Sequence, residues 1–171
     1  MWRKMFVTLI AIAGLTLSSC QSIQEGKFAI YLLTQEVPAT ELSQLDIERL
    51  TLQSSPVLSN DDIVSYDRAD HTLELTRAAY VRIQQIFPMP VKVTGIPFVV
   101  CVGNERIYLG AFWTPLSSLS YDGIVIMQPL DDTQTTIQIH LGYPAPEVFT
   151  GNDPRADPRI INALERSGKL K

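Results

Sequence analysis

The sequence is poor in the residues that carry chemistry. Its 171 residues include only two cysteines and two histidines. Two thiols fall short of the disulfide framework that staples small secreted domains. Positive charge is also scarce: 14 Lys and Arg stand against 18 Asp and Glu, for a formal net charge of −4. An acidic chain offers no basic face to phosphates, which argues against nucleic acid as a partner. It also argues against docking on anionic lipid by charge alone. No apolar run reaches the roughly 20 residues that span a bilayer. Glycine-rich phosphate loops, a Gly-x-Ser-x-Gly elbow and recognisable metal-ligand spacing are all missing. No cofactor is expected from such a sequence.

What is present is apolar. Hydrophobic residues make up 46% of the chain, enough for one well-filled core and too much for a disordered tail. There are no internal repeats and no low-complexity tracts, so residues 27–171 read as one domain.

The first 19 residues read differently. Arg3 and Lys4 form a short positive region, and Met5 to Leu17 is an apolar run of 13 residues. That is the layout of a secretory signal peptide. Leu17-Ser18-Ser19-Cys20 follows directly and resembles the bacterial lipobox. The resemblance implies cleavage before Cys20 and lipid on its thiol, with palmitate among the acyl chains. Several chains on one residue satisfy the two-signal requirement for stable anchoring. Removing residues 1–19 takes away two bases and no acid, leaving 12 bases against 18 acids and a net charge of −6. Residues 20–26 are then a lipidated tether. Gln21 stands where many inner-membrane lipoproteins carry Asp. The expected location is therefore extracytoplasmic, on the cell membrane or the outer membrane.

Along the domain, Lys27 to Leu33 reads as a strand. Leu42, Leu45, Ile47 and Leu50 mark a short helix within Pro38 to Leu50, with Thr40 or Ser43 as a weak cap. Ile63 to Tyr66 and His71 to Leu75 read as strands joined by the polar Asp67-Arg68-Ala69-Asp70. Thr76 caps a helix from Arg77 to Phe87, ended by Pro88 and Pro90. Pro97 to Val102 and Glu105 to Trp113 form a hairpin through Gly103-Asn104. Tyr121 to Met127 and Thr135 to Leu141 are two further strands. A last helix has Asp157 as N-cap, Pro158 at its first position and Gly168 as its stop. The pattern predicts an α+β fold: a mainly antiparallel sheet with two packed helices and a C-terminal helix.

Residues 71–127, about a third of the chain, resemble the head subdomain of the first extracytoplasmic domain of SecD, the Sec-export accessory membrane protein. The features are Leu73-Glu74-Leu75-Thr76 leading into a helix, the strand Gly95 to Val100, the turn Gly103-Asn104, a strand through Ile107, and Gly123 to Ile126. The resemblance implies a fold and a habit of contacting extended polypeptide outside the cytoplasm. Tyr108 to Trp113 and Asp153 to Arg159 are also similar to segments of small uncharacterised bacterial lipoproteins.

Several places remain where chemistry might be sought. Asp70 and His71, with Glu74 three residues on, form a weak metal or acid–base constellation, against the commoner reading of a solvated hairpin end. The pairs Asp61-Asp62 and Asp131-Asp132 lack calcium-loop spacing and read as acidic turns. His140 continues the alternation of Ile137 and Ile139 onto a polar face. Cys101, within Phe98 to Val102, reads as a small core hydrophobe. Strand alternation puts Tyr108 and Phe112 on one face, and Trp113 on the other with Leu109 and Ala111. One face must be core; an open second face beside the Pro115 loop would make these aromatics, Trp113 above all, contact anchors for a partner.

The leading expectation is therefore a lipid-anchored, non-enzymatic module that binds an envelope protein or peptide. The alternatives are a metal-dependent hydrolase around His71 and a structural envelope component.

Overall fold

The computed structural model describes residues 26–171; the expected signal segment and the lipobox-like stretch with Cys20 lie outside them. The fold is α+β. One eight-stranded, mainly antiparallel sheet has the order β2-β1-β5-β6-β7-β8-β4-β3. Its strands are β1 (Phe28–Leu32), β2 (Leu58–Ser59), β3 (Ile63–Asp67), β4 (Thr72–Leu75), β5 (Ile96–Val102), β6 (Glu105–Trp113), β7 (Tyr121–Met127) and β8 (Thr136–Tyr143). Two α-helices pack on it, α1 (Arg77–Gln85) and the C-terminal α2 (Pro158–Arg166). Among the described residues no helix is long and apolar enough to cross a membrane.

Local signals place these elements. Thr76 Oγ1 accepts from Ala79 N at 3.3 Å and starts α1, which buries Ala79, Tyr80 and Ile83. Asp157 accepts from Arg159 N at 2.9 Å, and Pro158 follows it at the head of α2. At the far end Gly168 takes φ 67°, and Lys169 N donates to Leu164 O at 2.8 Å, closing a left-handed C-terminal cap. Gly103, at φ 60°, turns β5 into β6.

The segment Pro38 to Leu50 departs from the expected helix. It forms two 3₁₀ turns, Ala39–Gln44 and Ile47–Arg49, with Leu45 and Asp46 extended between them. No side chain caps the first turn, and the Asp46 carboxylate accepts from Glu48 N, so it opens a second turn rather than continuing the first. Ala39, Leu42 and Leu50 still bury themselves against the sheet.

That coverage gives the sheet two apolar layers. On one side α1 and α2 close over Phe98, Val100, Tyr108, Phe112, Ile124 and Ile126. On the other the 39–50 segment packs with Val99, Cys101, Ala111, Trp113, Tyr121 and Val125. A strand buried on both faces reads as a continuous apolar run, which is the pattern of β5.

The step from β6 to β7 carries consequences for the surface. These neighbours are parallel, with Gly110 opposite Ile124 and Trp113 opposite Met127. Residues 114–120 must therefore run back about 20 Å along the sheet, and they begin with a turn in which Ser117 N donates to Thr114 O at 3.1 Å. They do so over the Trp113 face, where Tyr143 Oη donates to Ser117 O at 3.3 Å.

Candidate functional site

His71 does not meet Asp70 and Glu74 at a common point. It ends the β3–β4 turn in the left-handed region, at φ 59°. Its Nδ1 lies 2.6 Å from Tyr66 Oη. Tyr66 is 1% exposed, and burial pushes its pKa up to about 12. Burial also holds the His71 pKa below its ordinary value, assisted by the Arg155 guanidinium. Both shifts favour neutral partners, and Tyr66 Oη and Nδ1 share one hydrogen bond whose direction follows the imidazole tautomer; Tyr66 Oη also lies 3.4 Å from Arg155 O.

The loop before α2 closes the other side of this cluster. Arg155 donates from Nε and Nη2 to the two Asp153 carboxylate oxygens, at 2.9 and 2.8 Å, and from Nη1 to Ile139 O at 2.7 Å. These bonds hold the Asp153 carboxyl below the usual range. Asp70 instead accepts from Thr72 N at 3.0 Å, and Glu74 from Ser65 Oγ at 2.9 Å and Lys171 Nζ at 3.1 Å. Among the described residues no group of three or more His, Cys, Asp and Glu side chains is placed to hold a metal ion. The arrangement pins a hairpin to a loop.

The acidic pairs are likewise engaged in local structure. Asp62 accepts from Ser59 N and Oγ, both at 2.7 Å, and pairs with Arg82 at 2.7 Å. Asp131 accepts from Thr133 N at 2.8 Å within its own turn. Cys101 is 3% exposed, and burial lifts its thiol to about 11, so it is un-ionised at neutral pH.

The aromatic residues weighed as partner contacts are all core. Trp113 and Phe112 are fully buried and Tyr108 nearly so. With both faces of β6 buried, the open second face that partner contact would need is absent, and the rings take the core role that the alternation already allowed. The reason is the 39–50 segment and the 114–120 crossover, which together cover the side that alternation left undecided. Trp113 stacks on Tyr121 at 5.2 Å and 9° and meets Tyr143 at 5.8 Å. Its indole Nε1 is buried with no hydrogen-bond partner.

The covering loop carries the exposure instead. Leu116 is 72% and Leu119 41% exposed, on the crossover that follows Trp113. Ser117 Oγ donates to Val93 O at 2.7 Å, which brings the 43% exposed Val93 alongside. The Ser117 hydroxyl also accepts from Leu119 N at 3.2 Å, fixing the loop's shape. Leu116 and Leu119 therefore stand out on a hydrogen-bonded loop, and Val93 on the neighbouring segment that Ser117 ties to it. Single exposed apolar residues need no explanation, but a cluster does. On the same face, a pocket of about 200 Å³ opens between Met127, His140, Tyr143, Pro144 and Pro146. His140 is half-buried there, on the side of β8 opposite Ile137 and Ile139, as the alternation predicts.

The expected contact anchors were the β6 rings, whereas Leu116 and Leu119 stand in a Ser-rich stretch that reads as a flexible connection. Their flanking by Pro115 and by the largest aromatic was the available signal.

No protein-family model, curated protein or solved structure matches this chain.

Proposed function

We propose that this chain is an extracytoplasmic lipoprotein, held on the cell membrane or outer membrane by acyl chains on Cys20, whose domain binds an envelope protein or peptide without catalysing a reaction. The observation that carries the binding reading is the exposure of Leu116 and Leu119 on the crossover after Trp113, with exposed Val93 on the segment that Ser117 Oγ ties to that crossover. Exposed branched aliphatics on a braced surface lose little conformational freedom when a partner covers them, which is the economy of a contact site. The SecD-like order of elements supports the same reading by analogy of fold, which ranks functions without establishing one.

Engagement of the polar groups around His71 in one another favours this reading over a hydrolase. A His71 whose Nδ1 is already bonded to Tyr66 Oη, beside carboxylates bound elsewhere, has no partner set for activating water among the described residues.

The experiment is cross-linking in cells with mass spectrometry of captured proteins, run on the wild type, Cys20→Ala and Leu116→Glu/Leu119→Glu. A discrete partner that depends on both the tether and the two leucines is the expected result. Equal capture by the leucine variant would remove the surface from the reading, and no capture by a correctly lipidated wild type would sink the binding function.

A further inference from the structure

The chain leaves the described domain at Gly26, at a definite place. Gly103 N donates to Lys27 O at 2.9 Å, so Gly26 sits at the β5–β6 turn. Beside it runs the solvent face of α2. A pocket of about 220 Å³ there is lined by Gly26, Val102, Glu105, Arg159, Asn162 and Arg166. Arg166 Nη2 donates to Gly26 O at 3.3 Å. Arg159 pairs with Asp157 at 2.8 Å and Glu105 at 3.2 Å, and all three polar lining residues of α2 are exposed.

Five residues separate Gly26 from Cys20, and even fully extended the six steps between them reach only about 20 Å. A lipid on Cys20 therefore keeps this pocket within one short tether of the headgroup layer. The opposite end of the sheet is farther away. β5 and β6 carry the structure from Val102 opposite Glu105 to Ile96 opposite Phe112, about 20 Å. Val93 and Leu116 lie in the segments that adjoin that far end.

We propose that the pocket between α2 and the β5–β6 turn receives phospholipid headgroups of the bilayer that holds Cys20. The inference rests on the lipid-anchor reading. The recognised chemistry is the phosphodiester: the Arg166 guanidinium, bonded among the described residues only through Nη2 to Gly26 O, and the Asn162 amide beside it supply the donors that phosphate oxygens accept, while Arg159 is held through Nε, Nη1 and Nη2 by Asp157 and Glu105. Glu105 and Asp157 neutralise much of Arg159, and the mature chain is acidic, so the contact is too weak to recruit the domain alone. The tether removes that requirement by making the encounter intramolecular. Its effect is orientation: α2 lies toward the membrane, and Val93 and Leu116 lie toward the far end of the sheet.

The test uses the lipidated protein reconstituted in phosphatidylethanolamine–phosphatidylglycerol vesicles, with mass spectrometry first reading the acyl chains on Cys20. Nitroxides are placed on Glu165→Cys, on the solvent side of α2, and on Leu116→Cys. Accessibility to a water-soluble nickel chelate is compared with that to oxygen. The expected result is a label at 165 shielded from nickel and a label at 116 freely accessible, with the difference lost in Arg166→Ala and in Arg159→Ala/Arg166→Ala. Arg166→Ala is the decisive variant, because Arg159 also braces the α2 N-cap. Equal nickel accessibility at the two positions overturns the proposal, as does shielding that survives both arginine variants. Saturable binding of inorganic phosphate to the soluble Cys20→Ala chain at these arginines would assign the pocket to a free anion and overturn the headgroup. A Cys20 without lipid overturns the anchor reading itself, an outcome distinct from failed orientation of a lipidated protein.

Discussion

Tyr66 Oη and His71 Nδ1 share a hydrogen bond at 2.6 Å, across a turn whose last residue is held at a positive φ. Either neutral tautomer can hold this bond, and burial favours the neutral imidazole over the cation. The structure therefore ties the β3–β4 hairpin to the protonation state of one side chain.

A pH dependence follows with a definite sign. Burial, with Arg155 nearby, lowers the pKa of both His71 and His140 from the ordinary 6.5. The folded chain thus binds fewer protons than the unfolded chain across that interval, and stability rises with pH there. The contribution is complete above about pH 6.5 and is lost as pH falls through the folded values. A second loss begins near the carboxylate range, where Asp153 and Asp62 must be protonated against Arg155, Ser59 and Arg82. Urea midpoints are expected to be level between about pH 8 and about pH 7 and to fall below it, with a shallower fall in His71→Asn. An identical profile in that variant would show that His71 contributes nothing to the slope.

Tyr66→Phe separates the bond from the packing. The ring stays in the core while the hydroxyl is lost, and half-buried His71 loses its Nδ1 partner. The expected destabilisation is about 1–2 kcal/mol at neutral pH by denaturant unfolding. A variant as stable as the wild type would make the short Tyr66–His71 contact energetically idle.

Trp113 presents an uncompensated donor in an otherwise apolar site. Trp113→Phe removes the orphan N–H and keeps an aromatic on Tyr121. Its cost is expected to be well below the roughly 3–5 kcal/mol of Trp113→Ala, because relief of the buried donor offsets part of the lost volume. Equal losses in the two variants would mean that the N–H carries no penalty.

The exposed leucines are expected to be dispensable for folding. Leu116→Glu and Leu119→Glu should each leave the urea midpoint within about 0.5 kcal/mol of the wild type, since neither side chain is core. A larger loss would place them in the structural floor rather than on a contact surface.

Cys101 provides a check on the double layer. A thiol that is 3% exposed and raised to about 11 should react with aqueous disulfide reagents only as the domain opens. Rapid modification of the native protein would contradict the cover that the 39–50 segment gives β5.

Much of the fold was legible along the chain because its signals are local. Period-two alternation marks β8, Gly103-Asn104 marks the hairpin, and Thr76, Asp157 and Gly168 mark helix ends; each acts through its neighbours' backbone. The 39–50 segment misled because its apolar spacing suits either an α-helix or two tighter turns. The choice fell to the Asp46 side chain and to the apolar layer above Ala111 and Val125, and only the second is out of reach of the sequence. His71 was singled out from Asp70 and Glu74, while its true partners, Tyr66 and the Arg155 loop, are joined to it by sheet pairing and loop closure.

The sequence by itself determined the strands, the helix caps, the acidic balance and the absence of any recognised catalytic pattern, all of which depend on residues close together in the chain. Tertiary structure alone decided that β6 is buried on both faces, because a parallel β6–β7 pair forces residues 114–120 back across the sheet. That crossover is what buried Trp113 and left Leu116 in solvent.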